Sequence, residues 1–219
     1  MESARFAGQL AERLPGDGLR CTACRKVPPA FARAVAYGVY DDAMRELVHL
    51  LKYDRMEALA GALGVRLAEA VLMLEGAAAR ELTVVAVPLF GANRRTRGYN
   101  QSALLADAAI RRMRGLRPGW TLEAEHGALA RVRETQSQFG LTPRERRQNL
   151  KDAFAVPDPA RVMGREVLLI DDIYTTGATA RECALTLRRA GAKRVWVATL
   201  ARAQRDQVAY WSSSGDEDD

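Results

Sequence analysis

Three short, almost uninterrupted apolar runs constrain this chain more than anything else in it: Leu82–Val87 (LTVVAV), Val167–Ile170 (VLLI) and Val195–Leu200 (VWVATL). Runs of this length, rich in β-branched residues and without polar alternation, are expected of strands buried on both faces. The stretches after the first two carry helical spacing, over Tyr99–Met113 and about Thr179–Ala190. Strands alternating with helices are the pattern of a parallel sheet with helical crossovers. The expected fold class is therefore α/β, an open and mainly parallel sheet flanked by helices.

The remaining segments fit around that frame. Val35–Tyr40 is a short strand candidate and Asp41–Tyr53 a helix. A second helix covers about Met56–Glu75, where Leu59, Leu63, Leu67, Val71 and Leu74 recur at helical spacing. Gly61 and Gly64 weaken that helix unless another backbone approaches closely there. Residues 114–141 are polar and Arg-rich, and are expected to hold an edge strand around Thr121 and a mobile loop. Thr142-Pro143-Arg144-Glu145 is a helix start, with Thr as cap, Pro at the first position and Glu three residues after the cap. Ala153–Val156 is a short strand candidate. Thr179 and Glu182 form a second capping box in sequence, and Gly191 sits where a helix C-terminal cap belongs.

Residues 1–34, with Pro15, Pro28, Pro29 and the pair Cys21-Thr22-Ala23-Cys24, form a small irregular appendage. Residues 35–211 are the main domain, and 212–219 an acidic tail. Lys and Arg number 33 against 27 Asp and Glu, giving +6, and Asp216–Asp219 are all acidic, so the body is more basic still. A basic body suits anionic partners such as phosphates, nucleotides or nucleic acid, although a solvated Arg-rich surface has the same composition. Aromatics are only 6% of the chain, too few for a base-stacking platform. No apolar stretch approaches the roughly 20 residues of a membrane span and no export signal is visible, so a cytoplasmic protein without membrane insertion is expected. Cys183 falls on the apolar stripe Ala180, Cys183, Leu187, Ala190 and reads as a core thiol.

The chemistry concentrates in VLLIDDIYTTGATA, Val167–Ala180. A buried strand would carry Asp171 and Asp172 to the carboxyl edge of the sheet, where ligands of open α/β folds bind. The small residues that follow let backbone N–H groups approach a phosphate, Gly177 can take conformations barred to other residues, and the next helix presents the positive end of its dipole. The hydroxyls of Thr175, Thr176 and Thr179 add donors. A phosphate held there would set an attached ribose beside the two carboxylates. A strand-to-helix turn with two solvated aspartates is the bland alternative.

IDDIYTTGAT resembles the 5-phosphoribosyl 1-pyrophosphate (PRPP) motif of type I phosphoribosyltransferases. Three further segments are similar to the ComF family of competence-associated, phosphoribosyltransferase-like proteins: LVHLLKY (Leu47–Tyr53), VPLFGANRRTRGYNQSALLA (Val87–Ala106) and TQSQFGLTPRERRQNLKDAF (Thr135–Phe154). The resemblance implies a type I phosphoribosyltransferase fold, with Asp171 and Asp172 as the catalytic pair on the ribose hydroxyls. It places the 5-phosphate on Tyr174, Thr175, Thr176, Gly177, Ala178 and Thr179. Arg94, Arg95 and Arg97 fall in the family's pyrophosphate-side loop, a role that guanidinium donors suit, or else they make a solvated loop. Lys52 lies in a shared segment and would face the pyrophosphate, or else snorkel from a helix. Gln136–Asn149 corresponds to a segment that covers the site in related enzymes, made basic by Arg131, Arg133, Arg144, Arg146 and Arg147; as a lid it would meet the pyrophosphate or a nucleic-acid strand, or else it is an exposed amphipathic helix. Magnesium is expected with PRPP.

The chain also departs from these families. Thr175 stands where purine-salvage transferases carry an aspartate, so no general base is evident. ComF-type proteins begin with a zinc finger of two CxxC pairs, and only Cys21 and Cys24 remain here. Structural zinc takes four ligands, so a metal-free knuckle is expected unless a second copy of the chain, in a homodimer, completes the site. Two functions follow from the resemblance: a magnesium-dependent phosphoribosyltransferase acting on PRPP and linked to DNA uptake in natural transformation, or a non-catalytic module binding PRPP, a nucleotide or single-stranded DNA among competence proteins.

Overall fold

The computed structural model describes residues 24, 25, 27–53, 56–90, 98–135 and 141–204. The elements run β1 (Arg33–Val39), α1 (Asp42–Tyr53), α2 (Leu59–Leu72), β2 (Glu81–Ala86), α3 (Gln101–Leu116), β3 (Thr121–Ala124), β4 (Ala130–Arg131), α4 (Pro143–Leu150), β5 (Phe154–Ala155), β6 (Glu166–Tyr174), α5 (Ala178–Arg189) and β7 (Arg194–Arg202). Five strands form one sheet in the order β1-β7-β6-β2-β3, with every neighbouring pair parallel. The short strands β4 and β5 pair antiparallel as a separate ribbon. This is the α/β architecture expected from the alternating pattern.

The pleat divides the core in two. Leu82, Val84, Leu168, Ile170, Trp196, Ala198 and Leu200 point to one face and pack with α2 and α3. Val85, Val87, Val167, Leu169, Val195 and Val197 point to the other, against Ala180, Cys183, Ala184 and Leu187 of α5 and Leu150 of α4. Burial on both faces explains why these strands show no polar alternation. Among the described residues no helix is long and apolar enough to cross a membrane.

Two connections position the site. From β2 the chain passes through α3 to β3, towards one edge of the sheet, and from β6 through α5 to β7, towards the other. The neighbours β2 and β6 are thus the strands at which the winding reverses. In open α/β sheets the crevice beyond the carboxyl ends of such strands is where ligands bind.

Where the elements depart from expectation, tertiary partners account for it. β6 runs on to Tyr174, past the apolar run, because β7 continues beside it with Asp171 opposite Thr199 and Tyr174 opposite Arg202. The acidic pair therefore lies within the strand rather than after it. β1 begins at Arg33, two residues before Val35, where it is in register with Trp196. The box at Thr142 forms as read: the Thr142 N–H donates to Glu145 Oε2 at 2.7 Å and the Glu145 N–H to Thr142 Oγ1 at 3.3 Å. The box at Thr179 and Glu182 does not form. The helix starts at Ala178 with Gly177 as its cap, and Glu182 Oε1 instead accepts the Asp152 N–H at 2.9 Å.

The two glycines of α2 behave oppositely. A Cβ on Gly64 would lie 2.3 Å from the Ala108 Cβ and 3.0 Å from the Ala108 carbonyl carbon, whereas a Cβ on Gly61 has nothing within 4 Å among the described residues. Gly64 is what lets α2 and α3 cross so closely. Gly61→Ala should therefore stabilise by up to about 1 kcal/mol through helix propensity. Gly64→Ala should destabilise by about 1–2 kcal/mol, because overlap with a neighbouring backbone exceeds the propensity gain. Urea unfolding of the two variants checks the difference in sign.

Candidate functional site

Asp171 and Asp172 stand near the carboxyl end of β6, and the alternation of the strand sends them to different surroundings. Asp172 shares the face of Leu168 and Ile170, the side of α1 and α3, and is only 5% exposed. Its Oδ2 lies 2.7 Å from Lys52 Nζ and accepts from Gln101 Nε2 at 3.2 Å. Asp171 is partly exposed. Its Oδ1 accepts from Ser102 Oγ at 3.2 Å and from the Asp172 N–H at 3.0 Å.

The electrostatics follow from burial and from placing like charges together. Enclosure by protein, reinforced by Asp172, pushes the Asp171 carboxyl up to about 7, against the opposing pull of Lys52 and the hydrogen bonds from Asp172 and Ser102. For Lys52, burial alone would lower the ammonium, but Asp172 and Asp171 outweigh it and hold it above its usual value. Because the folded protein holds the Asp171 proton more tightly than an unfolded chain, this group supports the fold fully below about pH 4. That contribution fades as pH rises towards about 7. The stability of the wild type relative to Asp171→Asn should therefore fall with pH from 4.5 to about 7 and level off above it, as denaturant unfolding at fixed salt will read.

After Tyr174 the chain makes a three-residue bend, Thr175–Gly177, into α5. Gly177 has φ +75°, the left-handed region that favours glycine. Within the described residues the backbone N–H groups of Thr175, Thr176 and Gly177 make no hydrogen bond, and that of Ala178 has only a 3.4 Å contact to Thr176 Oγ1. These donors lie together at the N-terminal end of a twelve-residue helix, an arrangement suited to an anion. Tyr174 lies alongside, its ring edge-on to Phe31 and beneath the Arg202 guanidinium.

The side chains that hold this geometry come from elements distant in sequence. Asn100 caps α3 by accepting the Ser102 N–H at 3.0 Å, and its Nδ2 donates to the Val87 carbonyl at 3.0 Å, fixing the helix start to the end of β2. That brings Gln101 and Ser102 onto the two aspartates. The Tyr99 hydroxyl donates to the Leu51 carbonyl and ties the end of α1 to the same place, which sets Lys52 over Asp172. The sequence reading assigns no role to Gln101 or Ser102. Their signal, an Asn cap followed by two polar residues that become buried, is visible only once α3 is docked on the sheet.

The basic segment divides similarly. Arg146, 4% exposed, donates through Nε to the Leu141 carbonyl at 2.8 Å and reaches Thr175 Oγ1 with Nη1 at 3.4 Å, so α4 is joined to the loop after β6. Arg133 donates to the carbonyls of Asn149 and Lys151 at 2.7 and 2.8 Å and to that of Glu134 at 3.2 Å, closing the C-terminal end of α4. Arg131 stacks over Phe154, and burial lowers its guanidinium. Arg94, Arg95 and Arg97 lie outside the described residues, as does Cys21. Cys24 Sγ accepts from Arg181 Nη2 at 3.3 Å, which ties its short segment to α5. Among the described residues no group of three or more His, Cys, Asp or Glu is placed to hold a metal ion by itself.

No protein-family model matches the chain. It is 37% identical over 191 residues to the DNA utilization protein YhgH of Escherichia coli O157:H7, covering 84% of this chain and 78% of that protein. It is 31% identical over 211 residues to Competence protein F of Haemophilus influenzae, covering 93% of this chain and 87% of that protein. A stretch of 82 residues is 35% identical to the ribose-phosphate pyrophosphokinase of Thermococcus kodakarensis, covering 36% of this chain and 29% of that enzyme. Among solved structures, the allosteric regulatory enzyme of purine biosynthesis overlaps with a TM-score of 0.37 and 16% identity over 74% of this chain, which spans 38% of that chain's length.

Proposed function

The chain belongs to the ComF family, and from that membership we propose that it is a cytoplasmic PRPP-binding protein of the phosphoribosyltransferase type that serves DNA uptake. The observation that carries the reading is a row of backbone N–H groups on Thr175, Thr176 and Gly177, unengaged among the described residues, at the start of a helix beside an acidic pair where the sheet reverses its winding. The loop supplies donors to a 5-phosphate, and the acidic pair accepts from sugar hydroxyls. The names of the similar proteins, which refer to DNA utilization and competence, support the link to uptake.

The donor set fits magnesium chemically, since carboxylate oxygens suit a hard cation. The acidic pair would hold it, and when bound it would neutralise charge on the diphosphate. The chain's own residues orient the sugar and keep the ammonium of Lys52 at the site. The loop Thr175–Thr179 carries no acidic or basic side chain able to take a proton from an acceptor. That observation favours a second reading, in which the same site binds PRPP without turning it over.

Titration calorimetry of the full chain with PRPP and magnesium chloride tests the first claim. One-to-one binding that weakens when magnesium is removed is expected, and absence of binding contradicts it. Pyrophosphate release with a panel of acceptor bases then separates transfer from binding alone.

A further inference from the structure

Arg146, in the middle of α4, is a buried cation whose partners are all neutral. It is 4% exposed, and among the described residues its guanidinium makes no ion pair. Nε donates to the Leu141 carbonyl at 2.8 Å and Nη1 to Thr175 Oγ1 at 3.4 Å. Two acidic side chains of the neighbourhood are engaged elsewhere: Glu145 accepts the Thr142 N–H at 2.7 Å, and Glu182 accepts the Asp152 N–H at 2.9 Å. Burial accordingly lowers the guanidinium with no carboxylate to offset it, whereas for Lys52 the two aspartates outweigh burial. Arginine cannot escape the cost of enclosure by losing its proton, so a guanidinium placed this way calls for an anion.

The surroundings say where that anion would sit. The box at Thr142 fixes the start of α4, Arg133 closes its end on the carbonyls of Asn149 and Lys151, and Leu150 is wholly buried. The helix therefore holds the guanidinium in one place. Its contact with Thr175 is long, and a hydroxyl that accepts from arginine still has its own O–H to give. The N–H of the same threonine belongs to the row of unengaged donors at the start of α5. A cation, a hydroxyl and several amides thus adjoin. Arg202 is also close, over the Tyr174 ring, but it is exposed and water can solvate it.

On the basis of the PRPP reading above, we infer that Arg146 supplies the counter-charge to the 5-phosphate held at Thr175–Gly177, so that α4 and the loop are two sides of one anion site. Affinities of ribose 5-phosphate and PRPP, at constant magnesium and pH 8, are to be measured for the wild type, Arg146→Gln and Arg146→Lys. Glutamine keeps a donor for the Leu141 carbonyl and loses the charge, whereas lysine keeps the charge and loses the planar fork. Arg146→Gln should weaken both ligands by a common factor of roughly 10- to 100-fold, the size of a lost hydrogen bond to a charged group. The factor is common because the 5-phosphate is the part the two ligands share. Arg146→Lys should weaken both by a smaller common factor, about 3- to 10-fold. Inorganic phosphate alone should raise the melting temperature of the wild type and do so less for Arg146→Gln.

Unchanged affinity in Arg146→Gln would leave the residue as a support for the Leu141 carbonyl and overturns the inference. A loss confined to PRPP overturns it as well, since the guanidinium would then serve the diphosphate. Arg146→Lys decides by the same two criteria should Arg146→Gln fail to fold. A wild type that binds neither ligand contradicts the PRPP reading together with the inference, a pattern distinct from a variant that binds as the wild type does.

Discussion

Asp171→Asn should lower PRPP affinity by about 100-fold or more at pH 8, while the variant melts no lower than the wild type. The two halves of this result have one cause. Asp171 is enclosed beside Asp172, which raises its carboxyl to about 7, so keeping it ionised at pH 8 works against folding. A neutral asparagine of the same shape avoids that cost. It also loses the negative charge through which Asp171 would accept the ribose hydroxyls and help hold a cation, contacts whose charged character makes them strong. A residue kept for packing alone would lose stability on replacement, with ligand affinity following it down. Calorimetric titration and a thermal melt on one preparation read both quantities, and a drop in melting temperature without loss of affinity contradicts the assignment.

Gly177→Ala should weaken PRPP and ribose 5-phosphate alike, on the order of 100-fold, as expected when two or more amide contacts to one phosphate are lost. At φ +75° any side chain with a Cβ is strained by about 1–2 kcal/mol. The added carbon would also fall 2.2 Å from the Tyr174 hydroxyl oxygen and 2.5 Å from its ring carbon Cζ. The tyrosine cannot swing away cheaply, because Phe31 packs edge-on against its ring at 6.4 Å and the Arg202 guanidinium lies 5.4 Å from its centroid. The loop must therefore move, and with it the N–H groups of Thr175, Thr176 and Gly177. A modest fall in melting temperature should accompany the change. Unchanged affinity for both ligands would mean that the phosphate sits elsewhere.

The parts of this structure that short-range chemistry decides were legible in the chain. Apolar runs such as LTVVAV and VLLI read directly as buried strands, and the Thr142–Glu145 box forms because all its partners lie within four residues. The acidic pair and its glycine-containing loop were legible for the same reason: strand, carboxylates and helix start are contiguous. The proviso attached to Gly64 was met by Ala108, more than forty residues away. What could not be read depends on such distances. β6 extends past Ile170 because β7 runs on beside it, and no local signal carries that. The expected box at Thr179 lost Glu182 to Asp152, thirty residues earlier in the chain. Gln101, Ser102 and Arg146 enter the site only through docking of α3 and α4. Lys52 left two readings open in sequence, and its 2.7 Å contact with Asp172, more than a hundred residues on, could not be read there.

A crystal structure of the full chain grown with PRPP and magnesium bears most directly on the site as a whole. The expected density places the 5-phosphate oxygens within about 2.7–3.2 Å of the N–H groups of Thr175, Thr176 and Gly177, with the ribose over the acidic pair and the diphosphate towards Lys52. A ligand lying elsewhere on the protein, with those N–H groups left uncontacted, would contradict it.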